Sequence, residues 1–167
     1  MTMKKIFVIV TALFICSYIY SQEVAYVKGK GYKGYIFPKE YSVLGFPPEP
    51  NRYTPCLEDV AQAEKILKDS IGSDYVKSNQ RAHCKPPINK NTLKKYVRQY
   101  IGYITEDGKI IIHIYLSKGI EIDKNELSED IISIFDGGSN HWSIKINIST
   151  LKSATKLFSV LLASKRP

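Results

Sequence analysis

The stretch KKYVRQYIGYITEDGKIIIHIYL, residues 94–116, carries the pattern that decides the fold. Runs rich in Ile, Tyr and Val flank Thr105-Glu106-Asp107-Gly108 on both sides. An Asp-Gly pair between two such runs is a strong short-range hairpin signal, because glycine supplies the positive φ that the turn needs. The spacing predicts antiparallel strands over 93–104 and 109–116. In the second strand Ile110, Ile112, Ile114 and Leu116 share one face and Ile111, His113 and Tyr115 the other, so neither face is wholly polar.

Toward the C-terminus, Trp142, Ile144, Ile146 and Ile148 alternate strictly with His141, Ser143, Lys145 and Asn147, the mark of a half-buried strand with the tryptophan face inward. Asp136-Gly137-Gly138-Ser139-Asn140 precedes it, which predicts a second hairpin whose first strand covers 131–135. The charged stretch 117–130 reads as a solvated loop in preference to a short helical turn, and the short apolar run 157–162 as a final strand. Toward the N-terminus, a helix is expected over 55–71. Thr54 is the expected cap, Pro55 suits the first position, Glu58 and Asp59 favour the positive end of the dipole, and Gly72 is a natural stop. Val60, Ala63, Leu67 and Ile71 recur at helical spacing and need a sheet to cover them. Residues 73–92 read as an irregular connection. The fold class is therefore α+β, a single domain over 54–167 in which one main helix packs on an antiparallel sheet of four to five strands.

Residues 22–53 are rich in Gly, Tyr, Lys and Pro. Glycines at 29, 31 and 34 weaken any strand, while Tyr32, Tyr35, Ile36 and Phe37 can still pair at a sheet edge; the expectation is a loosely held N-terminal arm. Residues 1–21 read as a secretory signal peptide: Lys4 and Lys5 form the positive start, an apolar core follows, and Ser21 precedes the expected cut. After that cut no hydrophobic run is long enough to span a membrane. The expected location is periplasmic or extracellular, and a monomer is expected.

Loss of Lys4 and Lys5 takes the formal charge from +8 to +6. That excess favours an anionic neighbour, while falling short of the density of dedicated nucleic-acid proteins. Cys56 and Cys84 form a natural disulfide pair in an exported chain. They close a ring of about 29 residues, worth roughly 3–4 kcal/mol if unstrained. The histidines His83, His113 and His141 match no metal-binding spacing, so no metal is expected. Asp136-Gly137-Gly138 lacks the Lys-Ser/Thr of a phosphate loop, so no cofactor is expected either. Basic and aromatic residues interleave over 28–35 and 94–103. Tyr96, Arg98, Tyr100 and Tyr103 stand out there as a candidate binding face on an exposed strand, with Tyr32, Tyr35, Lys28, Lys30, Lys33, Lys94 and Lys95 in the same pattern.

The block from Lys94 to Tyr103, followed by Asp136-Gly137-Gly138 and the Lys-Ile-Asn of 145–147, resembles a group of small exported proteins of Bacteroidota. The signal ending in Ser21-Gln22 is similar to theirs. That resemblance implies export and brings no reaction with it. The function expected is a non-catalytic binding or interaction module whose partner is an envelope protein or an anionic glycan. Two rivals stand beside it. One is a small secreted hydrolase that uses His83, His113 or His141 with a carboxylate, the other a basic binder of anionic polymers.

Overall fold

The computed structural model describes residues 23–42, 51–73, 88–119, 124–134 and 138–149. The signal segment, Cys84, His83, and the expected strand over 157–162 lie outside the described residues. The strands are β1 (Ala25–Gly29), β2 (Tyr32–Phe37), β3 (Arg52–Tyr53), β4 (Val97–Ile104), β5 (Ile110–Ser117) and β6 (His141–Asn147). The helices are α1 (Leu57–Ser70), α2 (Lys90–Leu93) and α3 (Lys124–Glu129). The fold is mixed α+β, and the described residues form a six-stranded sheet in the order β1-β2-β4-β5-β6, with β3 pairing with β4 off that path.

The Asp-Gly hairpin forms as its sequence dictates. Ile104 stands opposite Ile110 and Val97 opposite Ser117. Gly108 takes φ +76° in the turn, where its N–H donates to the Thr105 carbonyl at 2.8 Å. β6 pairs antiparallel with the other side of β5, and Trp142, Ile144 and Ile146 face inward as their alternation predicts. Residues 131–134, however, form no strand, and β6 takes β5 as its partner instead.

Three further expectations are corrected. The sheet is larger than four or five strands and is not purely antiparallel, because β2 runs parallel to β4 with Gly34 opposite Arg98. Within 23–42 the expected loose arm is not what forms: β1 and β2 make a hairpin, and Val27, Ile36 and Phe37 are buried. Gly34 is the reason a glycine-rich strand fits there, since a Cβ on it would lie 2.1 Å from the Arg98 carbonyl oxygen. The stretch 117–130 contains α3, whose Leu127 is buried.

α1 begins later than expected. Cys56 is its N-cap and its N–H donates to Asp59 Oδ2 at 3.2 Å, while Thr54 Oγ1 accepts the Lys39 N–H at 3.0 Å. Gly72, at φ +93°, follows its end as predicted. Val60, Ala63 and Leu67 of α1 share one core with Ile36, Tyr100, Ile112, Ile114, Leu116, Trp142 and Ile146.

The opposite sheet face is covered as well. Gln99 Nε2 donates to the carbonyls of Leu127 at 2.9 Å and Asp130 at 2.5 Å, and its Oε1 accepts the Ile132 N–H at 2.9 Å. One buried amide thereby holds α3 and the chain after it. Arg52 does similar work nearby, donating to the carbonyls of Gly102, Tyr41 and Pro38 and tying 38–41 to β4. Burial lowers its guanidinium below the ordinary arginine range, although Glu40 partly offsets this.

Candidate functional site

The residues singled out on β4 lie inside the protein. Tyr96, Arg98 and Tyr100 are fully buried and Tyr103 is 8% exposed, so they form no solvent-facing capture surface. Period two explains the division among them. Residues 98 and 100 stand opposite Leu116 and Ile114 on the core face, whereas Tyr103 stands opposite Ile111 on the other. Tyr96 donates its hydroxyl to the Ser139 carbonyl at 2.5 Å and meets Trp142 edge-on at 6.3 Å.

Arg98 and Tyr100 instead converge on a residue of α1. Glu64 is 6% exposed and receives Arg98 Nε at 3.1 Å and the Tyr100 hydroxyl at 2.9 Å on Oε1, with Arg98 Nη2 at 3.3 Å on Oε2. The Arg98 fork also donates to the Tyr96 carbonyl at 2.5 Å and the Gly31 carbonyl at 3.4 Å. Bidentate pairing with the remaining donors satisfied is what makes a buried ion pair tolerable. Burial, with the Glu64 carboxylate adding to it, pushes the Tyr100 phenol well above its ordinary range.

Above this group lies a pocket of about 500 Å³, a volume within the range of small-ligand sites. The β1–β2 turn supplies Lys30 and Gly31, β2 supplies Tyr32, α1 supplies Ala61, Glu64, Lys65 and Lys68, and α2 supplies Lys90 and Leu93, with Lys94 just beyond. Five lysines thus surround one carboxylate that is itself paired with Arg98. α2 is positioned by its cap: Asn89 Oδ1 accepts the N–H groups of Asn91 and Thr92 at 2.9 and 3.0 Å. Lys65 is engaged by Asp69 at 2.7 Å. The lysine field reaches Asp69, whose carboxyl is held below its ordinary range by that Lys65 hydrogen bond first, with Lys90 and Lys68 adding to it. The Tyr32 phenol is raised by burial and by Glu64, with Arg98 opposing.

The described histidines do not converge. His113 lies on β5, stacked on Tyr115 at 4.4 Å between ring centres. Burial, with Lys145 adding to it, pulls it down to about 3. His141 Nδ1 sits 3.2 Å from Ser117 Oγ, four positions along β5 from His113, about 13 Å at strand rise. Among the described residues no three potential metal ligands gather. Cys56 lies exposed at the start of α1, its thiol raised from the ordinary range chiefly by desolvation, and Cys84 lies outside the described residues.

The basic-aromatic pattern of the sequence thus leads to Lys30, Tyr32 and Lys94 at the pocket, while Glu64 is the residue that sequence reasoning missed. Its signal is present: Glu64 follows Val60 by four positions and precedes Leu67 by three, a charge set inside the apolar stripe of α1. No helix among the described residues is long and apolar enough to cross a membrane. No family model, curated protein or solved structure matches this chain.

Proposed function

We propose that this chain is an exported, non-catalytic binding module that captures an anionic ligand at the lysine-rimmed pocket. The observation that carries the reading is the convergence of Lys30, Lys68, Lys90 and Lys94 from separate elements on one concavity whose base is held by a buried ion pair. Such a rim concentrates positive potential over low-dielectric walls, which attracts and retains negative charge. Export rests on the leader-like 1–21, and the Cys56–Cys84 bond belongs to the same proposal. N-terminal sequencing and non-reducing mass analysis of protein recovered outside the cytoplasm are expected to give a start at Gln22 and a closed ring. A start at Met1 with both thiols free would refute export and ring together.

Binding is tested by retention on heparin resin across a salt gradient. The variant Lys30→Ala/Lys94→Ala is expected to elute at clearly lower salt than the wild type. Lys28→Ala/Lys33→Ala removes the same charge from exposed positions that do not line the pocket, and is expected to elute close to the wild type. Equal shifts in the two variants would show general charge attraction without a site, and would reject the pocket.

A further inference from the structure

The pocket combines two chemistries that a bare anion does not use together. Its rim offers cationic donors, Lys30, Lys90 and Lys94. Its base offers acceptors. Glu64 Oε1 is occupied by Arg98 Nε and the Tyr100 hydroxyl, whereas Oε2 receives Arg98 Nη2 alone among the described residues. A carboxylate oxygen accepts about two hydrogen bonds, so Oε2 keeps room for one more donor. Fully ionised phosphate and sulfate groups bring no such donor, and their oxygens would meet the Glu64 charge unfavourably. A hydroxyl group brings one.

The third wall is aromatic. The Tyr32 ring packs against Gly29, where a Cβ would come within 2.2 Å of the ring's Cζ, so no side chain at 29 fits beside it. Tyr32 remains half-buried and lines the pocket with Leu93 and Ala61. A flat ring beside a donor-seeking carboxylate and a cationic rim matches a molecule with an apolar C–H face, hydroxyl groups and negative charge.

Resting on the anion-capture reading above, we propose that the occupant is an acidic saccharide. Its carboxylate groups meet Lys30, Lys90 and Lys94, a ring hydroxyl donates to Glu64 Oε2, and the sugar's C–H face lies on Tyr32. The lysines supply attraction and Glu64 with Tyr32 supplies selectivity for sugar over other anions.

Isothermal titration calorimetry on the chain as recovered from expressing cells tests this with four probes at one low ionic strength. They are a uronic-acid tetrasaccharide, a neutral tetrasaccharide, a short inorganic polyphosphate and a single-stranded oligonucleotide. The uronate is expected to bind at least about tenfold more tightly than each of the other three, a difference one well-made contact supplies. Tyr32→Ala, with folding checked by circular dichroism, is expected to weaken the uronate about tenfold and leave polyphosphate within about twofold. Polyphosphate binding as tight as the uronate, and lost in Lys30→Ala/Lys94→Ala, would overturn the saccharide assignment while the anion pocket stands. Tighter binding of the oligonucleotide would overturn it in favour of nucleic acid. Binding of no probe would overturn both readings.

Discussion

Arg98 and Glu64 show how far a residue's meaning depends on its neighbours. In the sequence Arg98 is one of several cations between tyrosines, while in the fold it is fully buried and holds a carboxylate from another element. Replacing one member leaves the other charge buried without its partner, which costs about 3–5 kcal/mol, whereas replacing both by apolar groups of similar size is far milder. Arg98→Met is therefore expected to lose that much in urea denaturation, and Glu64→Leu/Arg98→Met to recover most of it. A double variant no more stable than the single one would contradict the account. His113 makes a second residue-scale case. Its pKa falls from 6.5 to about 3 on folding, so the unfolded chain binds the extra proton between those values. The contribution is fully present above about pH 6.5 and is lost as pH falls toward 3, at up to about 1.4 kcal/mol per unit. His113→Phe keeps a ring against Tyr115 and removes the titration. Its stability is expected to fall less steeply than the wild type between pH 6.5 and 4, and parallel acid limbs would refute the assignment.

At the scale of elements, legibility followed locality. The β4–β5 hairpin, the inward face of β6 and the stop at Gly72 were readable because turn chemistry and periodicity sit within a few residues. The hairpin register even contained the correction to the binding face: placing Ile104 opposite Ile110 puts Tyr100 opposite Ile114 and Arg98 opposite Leu116, both on the core side. What was not readable is pairing across distance. β6 chose β5 over 131–134, and the charged run around α3 hid Leu127, whose burial depends on Gln99 far earlier in the chain. Gln99→Ala removes three hydrogen bonds to that segment at once and leaves its carbonyls without this donor. Amide exchange over 127–132 is expected to accelerate by at least about tenfold, with β5 and β6 protected as before. Unchanged exchange there would show that α3 is held by something else.

For the whole molecule the instructive error is the arm. Glycines at 29, 31 and 34 argue against a strand by propensity, yet Gly34 occurs where β2 passes so close to β4 that no side chain fits. The candidate site was legible to the same degree. Lys30, Tyr32 and Lys94 were visible as a pattern, but their meeting with Glu64 needs the parallel β2–β4 pair, which leaves no local trace. Gly34→Ala places a methyl on the Arg98 backbone and is expected to cost about 3 kcal/mol. It should also open Val27, Ile36 and Phe37 to limited proteolysis, and a variant as resistant as the wild type would show that the two strands tolerate separation. The parallel pair also sets an order of events during synthesis. Gly34 is made first and waits for Arg98, 64 positions later, so the ribosome releases the β1–β2 ribbon before its seat exists. Until residues 98–101 arrive, the edge of β2 that they will cover stays without its partner, an open seam in the growing sheet.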